Sequence, residues 1–146
     1  MSIPASRGRT LAIVAGSVVV AVLALWIQNA IVPYSKPFWG LFDNQLDLDV
    51  YRAGAQTVLD GDKLYDAKLL GQMDYTYTPF SIFGFIPFAW MSMTVARVVW
   101  IGAILVALYL TIMISFRSLG RSATPALRVV AVALVTVMML LEPVRT

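Results

Sequence analysis

The sequence predicts an all-α integral membrane protein, and three observations support that class. Hydrophobic residues make up 60% of the 146 residues and charged residues only 13%, about half the charged share of soluble proteins. Several uncharged stretches are long enough to cross the hydrocarbon core of a bilayer as a helix. The charges that remain are segregated along the chain. Most of the protein is therefore expected to meet lipid or other membrane helices.

The segregation of charge predicts which side of the membrane each segment occupies. Residues 33–77 hold seven acids and four bases, a balance of −3, whereas the rest of the chain holds seven bases and one acid, a balance of +6. Because Lys and Arg collect on the cytoplasmic side, Arg7 and Arg9 place residues 1–10 inside. The acidic loop over residues 33–76 is then expected on the outer face of the cell (plasma) membrane.

The first transmembrane helix is predicted over residues 11–32, which carry no charge and would extend about 33 Å as a helix. A signal peptide is the competing interpretation, but no small-x-small cleavage site follows Trp26, so an uncleaved helix is favoured. In the outer loop, Leu46–Leu59 predicts an amphipathic helix that stops at Asp60-Gly61-Asp62. A second short surface helix is predicted from about Lys63 to Leu70.

Three apolar segments follow the outer loop, and the first of them leaves the topology open. It is short for a transmembrane helix and contains Pro79 and Pro87. If it crosses fully, the later basic loop lies outside, against the positive-inside rule; if it dips in and returns, that loop lies inside. We favour three full spans plus one short or re-entrant helix, hence three to four membrane helices. The expected ranges are 77–93 (short or re-entrant), 95–116 (transmembrane), 117–124 (basic loop) and 125–141 (transmembrane).

The residue types present limit the possible chemistry. The sequence has no Cys and no His, which excludes disulfides and Ser-His or Cys-His catalysis within these residues. No run of Lys or Arg alternates with aromatic residues, so no nucleic-acid partner is indicated. Acid–base catalysis must then depend on Asp, Glu or Tyr.

Asp47 and Asp49 are the candidate catalytic residues. On a helix they lie about 200° apart, at about 100° per residue. Asp47 shares a face with Tyr51 and Gly54, and on that face it is expected to be partly desolvated in a membrane-side cavity, which would make it a stronger general base. Asp49 is expected to form a solvated pair with Arg52. The simpler interpretation is that acids at a helix start act as caps or dipole partners.

The divergence of the two carboxylates also bears on metal binding. They could hold one metal ion together only if the segment were extended, since residues i and i+2 then lie on the same side. We therefore predict no metal site and a reaction that survives chelators.

Three motifs between the apolar segments carry a resemblance to a known family. They are Asp-Leu-Asp-Val-Tyr at residues 47–51, Leu-Asp-Gly-Asp-Lys-Leu-Tyr at residues 59–65, and Tyr-Thr-Pro-Phe at residues 77–80. In this order they resemble glycosyltransferase family 87, which has the GT-C membrane fold and includes actinobacterial mannosyltransferases that use polyprenol-phosphate-mannose. The pattern is also similar to the eukaryotic glycosylphosphatidylinositol mannosyltransferase that uses dolichol-phosphate-mannose. The resemblance covers about residues 40–146, and family members commonly have Pro-Pro where this chain has Thr78-Pro79.

The resemblance implies an activity and a set of roles. The chain would be the N-terminal part of a GT-C enzyme that moves mannose from polyprenyl-phosphate-mannose to a mannosylated glycolipid or lipoglycan with inversion, without a cofactor. The outer-loop catalytic base of the family falls on Asp47 or, as second choice, Asp49, and the helix-face argument favours Asp47. The implied donor-phosphate ligands are Arg52, Lys63 and Arg145, and the implied sugar or lipid contacts are Tyr51, Tyr75 and Tyr77. Each of these also has a simpler structural interpretation as a surface, helix-end or interfacial residue.

Alternatives to mannose transfer stay open at this point. An arabinofuranosyltransferase of the same fold would share these residues, and a small accessory membrane protein could use the acidic loop to bind a partner. Family enzymes are several times longer, so residues 1–146 alone are expected to lack transferase activity. A downstream reading frame that continues the family's pattern would favour the enzyme.

Overall fold

The computed structural model describes residues 7–35 and 45–140, and the regular secondary structure of this part is helical. A 3-10 turn over Pro79–Ser81 leads directly into the third helix, and a single isolated β-bridge joins Leu69 and Met73. The described helices are α1 (Arg7–Ile31), α2 (Leu46–Leu59), α3 (Ile82–Ala89), α4 (Met93–Ser118) and α5 (Pro125–Met138). The predicted all-α class is confirmed.

Two of the described helices, α1 and α4, are long and apolar enough to cross a membrane. Few of their apolar side chains are buried, as expected of helices that meet lipid. Helix α5 has 14 residues and extends about 21 Å, which is shorter than the span predicted over residues 125–141.

Helices α1 and α5 are joined by a polar contact near their C-terminal ends. Gln28 is buried, and its side-chain amide donates to the carbonyl of Thr136 at 2.6 Å. The last carbonyls of a helix lack partners within the helix, so Gln28 satisfies one of them in surroundings where an unpaired carbonyl would be costly.

Helices α4 and α5 form an antiparallel hairpin. Gly120, with φ of +73°, permits the tight turn after α4. The Thr124 hydroxyl accepts from the backbone N–H of Leu127 and caps α5. Residues 12–20 of α1 face residues 130–134 of α5, while Gln28 meets Thr136. Helices α1 and α5 therefore run in the same direction, and α4 runs in the opposite one.

Helix α2 packs on α3 through a hydrophobic core, the α2–α3 core, which is formed by Ala55, Leu64, Leu69, Tyr75 and Ile82. Its observed bounds, Leu46–Leu59, confirm the predicted helix. The prediction of a helix over residues 63–70 is wrong, because these residues form turns. Eight residues are marginal for a helix, and here the chain instead buries Leu64 and Leu69 in the α2–α3 core.

Candidate functional site

The inward side of α2 is a narrow stripe centred on Leu48 and Ala55, both fully buried. At about 100° per residue, Asp47 and Asp49 lie on opposite flanks of that stripe. The packing on each flank then decides what each carboxylate can do, and the two flanks differ.

Asp49 faces α4 and forms an ion pair. Its Oδ2 lies 3.4 Å from Nη2 of Arg97, and the two side chains are only 22% and 25% exposed. Its other oxygen, Oδ1, is buried without a hydrogen-bond partner in the described part of the chain. The expected solvated pair of Asp49 with Arg52 is therefore wrong, because Arg97 takes the place of Arg52.

Arg97 is the site residue that the sequence interpretation missed. A signal was present: it is the one charge that interrupts the apolar stretch 95–116. A charged residue inside a membrane segment is costly unless it is paired, so Arg97 required an acidic partner from the neighbouring loop.

Arg52 contacts backbone carbonyls instead of a carboxylate. Its Nε donates to the carbonyl of Phe88 at 2.9 Å and its Nη2 to the carbonyl of Met91 at 2.7 Å. These carbonyls lie at the C-terminal end of α3, where partners within the helix are missing. Arg52 thus clamps α2 to the end of α3, and two of its donors are already used where a donor phosphate was expected to bind.

Asp47 is exposed, so the described residues do not by themselves provide the partial desolvation expected for this carboxylate. Packing on its face begins one helical turn later, where Tyr51 is half-buried and Gly54 is buried. Asp47 lies just before that packed region, and no ion pair holds it among the described residues. Its carboxylate is free to accept a proton or a hydrogen bond from a bound molecule.

An aromatic cluster lies next to Asp47. The ring of Tyr51 is 5.1 Å from that of Tyr77 and 4.4 Å from that of Phe85, measured between centroids. Tyr77 is half exposed, whereas Tyr75 is only 3% exposed. Tyr75 therefore cannot stack on a sugar, and Tyr51 and Tyr77 remain as candidate sugar contacts.

Three hydrogen bonds hold the segment that presents Tyr77. The hydroxyl of Tyr65 donates to the Tyr77 carbonyl at 2.6 Å. Ser81 donates through Oγ to the Thr78 carbonyl, so the 2.6 Å contact between Ser81 Oγ and the Tyr75 hydroxyl has Tyr75 as donor. The orientation of Tyr77 is consequently set by side chains on both sides of it.

The environment of Tyr51 keeps its hydroxyl neutral. Burial raises its pKa above the ordinary value, and hydrogen bonding to the Tyr77 side chain and the negative charge of Asp47 raise it further. The Tyr51 hydroxyl therefore stays protonated over the whole physiological pH range.

The remaining predicted site residues lie elsewhere. Lys63 is exposed and forms a surface ion pair with Asp66 at 3.7 Å, and Arg145 lies outside the described residues. Among residues 7–35 and 45–140, no group of three or more His, Cys, Asp or Glu is placed to hold a metal ion. An open groove of about 300 Å³ lies beside the Asp49 flank, lined by Asp49, Arg52, Ala53, Gln56, Leu70 and Met93.

Comparison with known proteins assigns one part of the chain to a protein family. That part contains the Tyr75–Ser81 segment and helices α3, α4 and α5. Residues 75–146 match the model of glycosyltransferase family 87. This part of the chain belongs to glycosyltransferase family 87. Membership implies the GT-C membrane fold, and the family recognised from the motifs is confirmed. The matched region contains Tyr77 and Arg97, while Asp47 and Asp49 precede it.

Two curated relatives are mycobacterial enzymes. Both are described as polyprenol-phosphate-mannose-dependent alpha-(1-2)-phosphatidylinositol mannoside mannosyltransferases. The one from Mycobacterium tuberculosis is 36% identical over 69 residues, covering 41% of this chain and 16% of the relative. The one from Mycolicibacterium smegmatis is 41% identical over 58 residues, covering 36% of this chain and 13% of the relative. The similarity thus spans less than a fifth of either relative, and no solved structure matches the chain.

Proposed function

We propose that this protein takes part in glycosyl transfer at the outer face of the plasma membrane, moving mannose from polyprenyl-phosphate-mannose to a mannosylated glycolipid. The observation that carries the proposal is the family 87 match over residues 75–146, the segment that places Tyr77 beside the acidic helix α2. The donor and acceptor classes come from the two mannosyltransferase relatives.

Asp47 is the general base in this proposal. Its carboxylate takes the proton from an acceptor hydroxyl while that oxygen attacks the anomeric carbon of the donor mannose. The bond from the anomeric carbon to the phosphate oxygen breaks, and polyprenyl phosphate leaves with the electron pair. A single displacement of this kind inverts the anomeric centre, as in other inverting sugar chemistry.

The accessibility of the two carboxylates favours Asp47 over Asp49. Asp47 is exposed next to Tyr51 and Tyr77, where a sugar ring can reach it. Asp49 accepts from Arg97, and a base that gave up this ion pair would leave Arg97 without that partner. We assign Asp49 the role of fixing α2 against α4.

The exposed ring of Tyr77 and the edge of Tyr51 provide a surface for an apolar sugar face. The neutral hydroxyl of Tyr51, which interacts with the Tyr77 side chain, adds a hydrogen-bond acceptor for a sugar hydroxyl close to Asp47. We propose that these two residues orient the acceptor sugar. Arg52 acts by holding α2 in place, since its donors are engaged at the end of α3.

The direction of the helices supports a topology for this site. If α1 runs outward from the basic N-terminal segment, then α4 runs inward, α5 runs outward, and Arg117 and Arg121 between them lie in the cytoplasm, as the positive-inside rule requires. Helices α2 and α3 then lie on the outer side. This arrangement has three membrane crossings and leaves the segment around α3 as a short, non-crossing element.

The function is tested in membranes of the source organism, with the gene in its own chromosomal context. We expect membranes with the intact gene to transfer radiolabelled mannose from polyprenyl-phosphate-mannose to a phosphatidylinositol mannoside. Disruption of the gene should remove the product, complementation should restore it, and NMR should show the opposite anomeric configuration in donor and product. Loss of arabinose transfer instead, or unchanged labelling, would contradict the proposal.

The reaction is expected to survive chelation of divalent cations. Asp47 and Asp49 flank α2 on opposite sides, and Asp49 is held by Arg97, so the pair is not arranged to share one metal ion. In the same membrane assay, EDTA should leave the rate within about twofold. A loss that magnesium or manganese restores would show that the two carboxylates act together.

A further inference from the structure

The short helix α3 has a buried side and a strongly exposed aromatic side. Ile82 and Phe85 pack in the α2–α3 core. On the other side, Phe80, Phe83 and Trp90 are 80%, 65% and 74% exposed. The rings of Phe80 and Phe83 lie 5.9 Å apart, so they form part of one continuous surface. We call Phe80, Phe83 and Trp90 the aromatic face.

The surroundings of the aromatic face indicate lipid as its occupant. No charged residue occurs from Tyr75 to Ala96, so the rim of polar charges typical of a surface for soluble partners is missing from this segment. Trp90 lies three residues before Met93, where α4 begins, and α4 is long and apolar enough to cross a membrane. Trp is favoured where a transmembrane helix enters the headgroup region.

The dimensions of the segment indicate that it lies in the plane of the membrane. The 3-10 turn and α3 together cover Pro79–Ala89, about 16 Å of helix, against a hydrocarbon core of about 30 Å. The covered side of α3 packs on α2, which carries Asp47, Asp49 and Arg52. A segment that entered the core deeply would pull those charges into hydrocarbon, at considerable cost.

We propose that the aromatic face inserts into the bilayer interface and anchors α3, and with it α2, to the lipid surface. Arg52 links α2 to the anchored segment, because it donates hydrogen bonds to the carbonyls of Phe88 and Met91 next to Trp90. The anchor thereby fixes the height of Asp47 relative to the lipid headgroups. The membrane position of the aromatic face does not depend on the proposed transfer reaction, so the two proposals can fail independently.

The absence of native cysteine makes the depth of single positions measurable in the full chain. Phe83→Cys carries a nitroxide spin label in vesicles of phosphatidylethanolamine and phosphatidylglycerol. Its collision rates with oxygen and with a water-soluble nickel complex are recorded by electron paramagnetic resonance. Two exposed positions give the references: Val106→Cys in the middle of α4 and Gln56→Cys on α2.

We expect the label at residue 83 to lie about 5–10 Å below the headgroups, as in interfacial helices, between the Val106 and Gln56 references. Trp90→Cys should give a similar depth, and this second position keeps the test valid if one of the two variants misfolds. Collision rates equal to those at Val106 would mean that the segment crosses the membrane. Rates equal to those at Gln56 would mean that it lies in water. Low rates with both reagents would mean that protein covers it. Each of these three results overturns the proposal.

Discussion

Asp47→Asn is expected to abolish mannose transfer while leaving expression and membrane insertion unchanged. The amide has nearly the shape of the carboxylate but cannot take a proton from the acceptor hydroxyl. General-base catalysis typically contributes about 10²- to 10⁴-fold, so we expect a loss of that size in kcat. Because Asp47 is exposed and has no ion pair among the described residues, folding should not suffer. The measurement is the initial rate with radiolabelled polyprenyl-phosphate-mannose in membranes that carry the chromosomal variant.

Two further substitutions are compared with Asp47→Asn: one is a control, and the other tests the alternative base. Asp62→Asn removes an exposed acid from the turn after α2 and should leave the rate unchanged. Asp49→Asn keeps an oxygen that Arg97 can bind but loses the charge of the largely buried ion pair, so a smaller loss of rate is expected than for Asp47→Asn. Near-normal turnover by Asp47→Asn would refute the assignment. An inactive Asp49→Asn beside an active Asp47→Asn would reverse it.

The parts of the fold that could be predicted from the sequence depend on local signals. Helix α2 was predicted to the residue because apolar residues recur at helical spacing and Asp60-Gly61-Asp62 ends it, with Gly61 at φ of +87°. Helices α1 and α4 were predicted from long apolar stretches, the second of which is interrupted only by Arg97. The short helix expected over residues 63–70 failed because burial of Leu64 and Leu69 outweighs the weak helical preference of so short a segment.

The site depended on contacts between segments distant in the chain, and these could not be predicted from α2 alone. Helical geometry correctly separated Asp47 from Asp49, but it could not tell which flank another helix would cover. Arg97, which binds Asp49, lies 48 positions later in the chain. Arg52 donates to a backbone carbonyl at the end of α3. Pairing by proximity in sequence therefore assigned the wrong partner to both Asp49 and Arg52.

Gly54→Ala is expected to destabilise the packing of α2, although alanine favours a helix more than glycine does. A Cβ atom at residue 54 would lie 2.9 and 3.1 Å from two ring carbons of Tyr75 and 3.2 Å from Cδ1 of Leu64. The ring cannot move away easily, because Tyr75 is buried and its hydroxyl is bound to Ser81. Overpacking of this kind costs about 1–3 kcal/mol, against a gain in helix propensity of at most about 1 kcal/mol. Thermal unfolding of the full chain in detergent, followed by near-ultraviolet circular dichroism of the tyrosine cluster, measures the balance.

The control for this substitution is Gly102→Ala in α4, where a new Cβ atom meets nothing within 4 Å. It gains the same helix propensity without the clash, so it should be neutral or stabilising. A double-mutant cycle then tests the cause, because truncation of the ring in Tyr75→Ala should remove most of the penalty of Gly54→Ala. If Gly54→Ala is as stable as Gly102→Ala, or if its penalty persists without the ring, then close contact between Gly54 and Tyr75 does not hold α2 in place. Since Tyr75 supports Tyr51 and Tyr77, the destabilised variant should also lose transfer activity, with Asp47 intact.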